Sequence, residues 1–108
     1  MKVIKFGGTS VGSAEGLLNI KQIVSAEKDQ VLVVVSAISG MTDLLIQTSR
    51  RAASGDLGYQ DNVQQMRDKH ARLIAQIFSE DDQAAMLQQT NTLLDELSNI
   101  FHSRAACV

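Results

Sequence analysis

Lys5-Phe6-Gly7-Gly8-Thr9-Ser10-Val11-Gly12-Ser13 brings one cation, three glycines and three hydroxyls into a single short stretch. It follows an apolar run, Lys2-Val3-Ile4-Lys5-Phe6, that reads as a strand. Those residue types in that order suit the holding of phosphate. Glycine lets a ligand approach the main chain without a Cβ in the way, consecutive N–H groups at a helix start attract an anion, and a lysine adds a mobile charge. Two familiar phosphate loops do not fit. Ser13 stands where a Walker loop needs its lysine, and no G-x-G-x-x-G can be written for a dinucleotide fingerprint.

A second block, Ser36-Ala37-Ile38-Ser39-Gly40-Met41-Thr42-Asp43, follows the β-branched run Val31-Leu32-Val33-Val34-Val35. The carboxyl ends of parallel strands are where open α/β sheets take their ligands, so both loops are expected to open onto one edge. Ser39 and Thr42 have a second reading as N-caps of the helix that follows, with Asp43 complementing its dipole.

Lys5-Phe6-Gly7-Gly8-Thr9-Ser10-Val11, with Val35-Ser36-Ala37 and Gly40-Met41-Thr42-Asp43 about thirty residues on, resembles the N-terminal signature of the aspartokinases, within the amino-acid kinase family. The resemblance implies an enzyme that transfers the γ-phosphoryl of ATP to the β-carboxylate of L-aspartate, giving 4-phospho-L-aspartate for lysine, threonine and methionine biosynthesis. Mg2+ is the ion it implies. It makes Lys5 the catalytic residue, Lys5, Gly7, Gly8, Thr9 and Ser10 the nucleotide-binding set, and Ser36 and Thr42 the aspartate-binding hydroxyls. A carboxylate acceptor with a reference pKa of ~3.9 is already ionised and needs no general base. It does need relief of anion repulsion and stabilisation of charge on the transferring oxygens, which is the role Lys5 and the loop would fill. The resemblance is strong over about the first half of the chain, and aspartokinases continue well beyond it. The expectation is therefore an N-terminal portion, inactive alone, of an aspartate kinase or of its fusion with homoserine dehydrogenase. The alternatives are an enzyme of the same fold with another acceptor, or a non-enzymatic module docking through its helices.

The elements expected to position these loops make an α/β fragment of the amino-acid kinase type. Two parallel strands, Lys2 to Phe6 and Val31 to Val35, carry flanking helices. One helix runs from about Ser13 to Glu27, capped by Ser13, with Leu17, Ile20, Ile23 and Val24 as its apolar stripe. The unalternating run of residues 31–35 predicts a strand covered on both faces. A third helix, about Thr42 to Ala53, stops at Ser54-Gly55. Residues 1–55 thus form the loop-bearing unit, and 59–103 an antiparallel helical hairpin within one 108-residue domain piece. Its seams are expected at Val63, Met66, His70, Leu73 and Ile77, and at Met86, Thr90, Leu93, Leu97 and Ile100, with Ser79 capping the second helix. Without proline, nothing interrupts either helix. Arg50 and Arg51 read as solvated charge near a helix end, and Met41, Met66 and Met86 as core filler.

Composition narrows the partners. A net charge of −2 offers no basic surface for nucleic acid, and a single cysteine excludes a disulfide framework. His70, His102 and Cys107 have no zinc-site spacing, so no metal ligands are assigned. The apolar run at 31–38 is far shorter than the ~20 residues of a membrane span, and Met1-Lys2 leads straight into a strand. A cytoplasmic protein is expected. Two parallel strands make an incomplete sheet, which predicts self-association into a homo-oligomer.

Overall fold

The computed structural model describes residues 1–107. In chain order the elements are β1 (Lys2–Phe6), α1 (Gly8–Val11), α2 (Ala14–Ser25), β2 (Val31–Val35), α3 (Met41–Ala53), α4 (Tyr59–Ile77) and α5 (Glu80–Ala106). The chain is mostly helical, with a two-stranded parallel sheet at its start. It divides into two compact units, Met1–Thr42 and the residues from Asp43 onward.

In the first unit β1 and β2 pair from Lys2 against Val31 to Phe6 against Val35, the two runs read as strands from their residues. The Ser36 N–H extends the ladder by donating to the Phe6 carbonyl at 3.2 Å. Ser13 caps α2 as expected, its Oγ accepting from the Gly16 N–H at 3.1 Å. Two expectations are corrected. The run 31–35 is not covered on both faces: Leu32, Val33, Val34 and Val35 are 37–55% exposed. Nor is the stripe of α2 buried, for the helix has no buried residue and Ile23 is 47% exposed. Both patterns describe surfaces suited to burial, and pattern alone does not supply the atoms that cover them.

A buried core cluster lies in the second unit. Ala52 of α3, Tyr59 and Val63 of α4 and Phe101 of α5 form it, with Leu97 and Ala105 packed against them. The Tyr59 and Phe101 rings meet tilted, centroids 6.2 Å apart. Arg67 of α4 bonds to Asn91 and Asp95 of α5, and Gln83 at the start of α5 donates to the Phe78 carbonyl at 2.9 Å. Residue numbers therefore fall along α5 as they rise along α4. On α5 the buried positions are Leu94 and Phe101, while Leu93 and Ile100, expected in the seam, are 67% and 64% exposed. Adjacent apolar residues at 93 and 94 leave two registers open to a periodicity argument, and the bulk of Phe101 selects the second.

Arg51 is also not simply solvated. Its guanidinium donates to Asp56 at 3.2 Å, to the Gly58 carbonyl at 3.1 Å and to Asn62 Oδ1 at 2.9 Å. Asn62 in turn donates to Thr48 Oγ1 at 3.1 Å, and the Thr48 hydroxyl donates to the Leu44 carbonyl. Thr48 and Asn62 are the buried polar residues of this unit. This chain of bonds sets α3 against α4.

Candidate functional site

Lys5 lies next to the carboxyl end of β1, exposed, in register with Val34 of β2. Strand alternation puts it on the face opposite Phe6, which is buried. The other lysine of the strand, Lys2, is paired with Glu27 at 2.9 Å. Lys5 has no ion pair among the described residues, so its charge is free for a ligand.

The turn after β1 is tighter than a glycine-rich loop leading into one long helix. Gly7 caps a single helical turn, α1, and its carbonyl accepts from the N–H groups of Ser10 at 3.1 Å and Val11 at 3.2 Å. Gly12 and an extended Ser13 then break the chain before α2 begins. The N–H of Ser10 is thereby used within the turn, and Ser10 retains its hydroxyl for a ligand. The Gly8 and Thr9 N–H groups have no backbone partner among the described residues, as the first positions of any helix require. The long-helix dipole assumed from the sequence does not start at this loop, since α1 is only four residues long.

The glycines fall into two groups. A Cβ at Gly7 would meet nothing within 4 Å, and one at Gly8 only the Ser36 hydroxyl at 3.9 Å. Neither has positive φ, which among the glycines belongs to Gly40 and Gly55. The turn therefore folds without needing glycine at positions 7 and 8, and what their missing side chains leave is open space before the main chain. Gly12 and Gly16 are different. A Cβ at Gly12 would lie 2.9 Å from the Gly8 carbonyl oxygen and 3.0 Å from Ser39 Cβ, and one at Gly16 would lie 2.1 Å from the Ser10 carbonyl oxygen. These two are packing glycines.

The same contacts bring the two loops together: Ser36 sits beside Gly8 and Ser39 beside Gly12. The Ser36 hydroxyl donates to the Ala37 carbonyl at 2.9 Å. The second loop then closes as a turn in which the Met41 N–H donates to the Ile38 carbonyl at 2.9 Å, with Gly40 at φ 79°. Met41 is buried at the start of α3, and Thr42, one residue further, is exposed. The glycine turn directly precedes α3. Ser36 and Ser39 are the side chains of this loop found beside glycines of the first one, contacts no spacing in the sequence signals.

The residues present suit a polyphosphate: a free lysine, two unpartnered N–H groups, open main chain and the hydroxyls of Thr9, Ser10 and Ser36. They do not by themselves suit a divalent cation, because no group of three or more His, Cys, Asp or Glu side chains converges among the described residues. No described helix is long and apolar enough to cross a membrane.

Comparison with known proteins shows the family. The model of the amino acid kinase family matches residues 1–102. A bifunctional aspartokinase/homoserine dehydrogenase, chloroplastic, of Daucus carota is 38% identical over 84 residues, 77% of this chain and 9% of the relative. A second protein of that name from Arabidopsis thaliana is 33% identical over 99 residues, 91% of this chain and 10% of the relative. The aspartokinase of Chlamydia muridarum is 48% identical over 48 residues, 44% of this chain and 11% of its own. The chain thus spans about a tenth of the length of these curated relatives. With nearly its whole length matched by the family model and its glycine turn, free lysine and parallel strands in place, the chain belongs to the amino acid kinase family.

Proposed function

We propose that this chain is the N-terminal portion of an aspartate kinase, a phosphotransferase with a carboxyl acceptor, and that it forms the phosphate-holding edge of the site. The observation that carries the reading is the open main chain at Gly7 and Gly8 beside the unpaired Lys5, an arrangement the turn itself does not require. The aspartokinase names of the relatives supply the acceptor.

ATP, when bound, supplies the γ-phosphoryl group that passes to the β-carboxylate of L-aspartate. The chain's part is to neutralise and hold. The Lys5 ammonium offsets the repulsion between an anionic acceptor and an anionic phosphoryl group, and stabilises charge as it spreads over the transferring oxygens. The N–H groups of Gly8 and Thr9 and the hydroxyls of Thr9 and Ser10 hold phosphate oxygens. Ser36, beside Gly8, and Thr42 hold the aspartate. Mg2+, the ion this reading implies, would offset phosphate charge, and the loops offer it no cluster of carboxylates among the described residues. Further strands and acceptor-binding residues come from the rest of the parent. A cytoplasmic location completes the proposal; the plant relatives, named chloroplastic, define the competing one.

The test is acceptor profiling of a complete kinase domain carrying this N-terminus. ADP release that depends on L-aspartate, with Thr42→Val raising the aspartate requirement and leaving the ATP requirement nearly unchanged, supports the reading. Release driven by a different carboxylate, by carbamate or by phosphate overturns the aspartate assignment. Intact kinetics in Thr42→Val remove Thr42 from the acceptor site.

A further inference from the structure

We infer that the outer face of α5 is a contact surface for a second copy of this chain, packed antiparallel about Ile100. Packing against α4 uses Leu94 and Phe101, and leaves Leu93 and Ile100 two-thirds exposed. These two are seven residues apart, and another seven lead to Cys107, exposed and still helical in its backbone as the C-cap of α5. At about 100° per residue, Leu93, Ile100 and Cys107 share one stripe, and the exposed Glu96 and Arg104 lie within the same arc of about 80°. Neither charge has an ion pair among the described residues, where the pairs are Lys2 with Glu27, Arg51 with Asp56 and Arg67 with Asp95.

The charges choose the occupant and its direction. When α5 is laid antiparallel on a second α5 about an axis at Ile100, Glu96 of each copy falls opposite Arg104 of the other, Ile100 meets Ile100, and Leu93 meets Cys107. The patch is self-complementary, as a two-fold contact must be. Parallel pairing would set Glu96 on Glu96 and Arg104 on Arg104, so the same residues repel that alternative. The seam is only about four helical turns long, which places it among small, weak interfaces. This surface uses no residue of the phosphate loop and does not depend on the kinase reading.

Sedimentation equilibrium of the 108-residue chain up to ~500 µM, a range suited to so small an interface, tests the inference. A reversible dimer is expected. Ile100→Lys should weaken it at least ~tenfold and Glu96→Arg by about as much, while Glu96→Arg combined with Arg104→Glu should return it to within ~threefold of the unchanged chain. All these positions are exposed, so helical circular dichroism should be unchanged. In a second measurement, Leu93→Cys should give a covalent dimer through Cys107 under mild oxidation, and the same change with Cys107→Ser should not. A monomer throughout the range overturns the inference. So does a dimer indifferent to Ile100→Lys and to the charge reversals, which would assign association to another surface such as the open sheet.

Discussion

Lys5 and the glycines that follow it separate binding chemistry from folding more cleanly than their spacing alone could. Lys5 is exposed and unpaired, so replacing it should leave the fold intact and act on chemistry. In a complete kinase domain, Lys5→Ala should lower turnover by ~10²–10³, about 2.7–4 kcal/mol, the size of one preorganised group stabilising transition-state charge. Steady-state kinetics at saturating aspartate check this, and near-normal turnover would return Lys5 to the role of a strand-end charge. The glycines make a paired prediction. Gly8→Val should damage nucleotide binding with little change in melting temperature, because its Cβ enters open space in front of the main chain. Gly16→Ala should do the opposite, costing about 1–3 kcal/mol in stability through the clash with the Ser10 carbonyl, with nucleotide affinity following only the folded fraction. Thermal melts with and without nucleotide distinguish the two, and equal behaviour of both variants would defeat the division.

At the scale of elements, helix and strand ends were legible because local chemistry sets them. Ser13 accepts the Gly16 N–H, and Gly55, at φ 80°, stands just after α3 where a left-handed residue ends a helix. The face that α5 buries was not legible, since Leu93 and Leu94 both satisfy a helical period and only packing chooses between them. The link between α3 and α4 was missed for a related reason: Thr48, Arg51 and Asn62 look like surface residues until they are seen bonded to one another. That network carries a prediction. Thr48→Val keeps the shape but removes the acceptor of the Asn62 amide, leaving a buried donor unpaired at a cost of about 1–3 kcal/mol. Thr48→Val with Asn62→Leu should recover part of that loss, because the unpaired group is then gone. Urea unfolding of the single and double variants checks it, and a single variant within ~0.5 kcal/mol of the parent would show the network to be incidental.

The whole chain presents a sheet it does not cover. Leu32 to Val35 remain 37–55% exposed in a two-stranded parallel pair, and such a pair normally needs further strands or helices over its faces. Under the proposed function the same incompleteness bears on activity, because these loops would form only one side of an acceptor site. The 108-residue chain alone should therefore show no aspartate-dependent ATP turnover, while retaining weak affinity for phosphate or nucleotide at Lys5 to Ser10. A coupled ADP assay and a calorimetric titration with ATP measure the two halves. Turnover by this chain would mean that the site needs no more than it contains.

By itself the sequence determined the two strands, the Ser13 cap and the long helices, because each rests on residues close together in the chain. Its family resemblance rested on short blocks as well. Tertiary structure decided which glycines pack and which stand open, that Ser39 meets Gly12, that α1 is a separate turn using up the Ser10 N–H, and that α5 turns Leu94 rather than Leu93 inward. The α1 turn is local, set by bonds within residues 7–11, and the other three share one reason. Each depends on atoms brought together from separate turns or elements, and a periodic pattern states what a surface would bury without stating what is there to cover it.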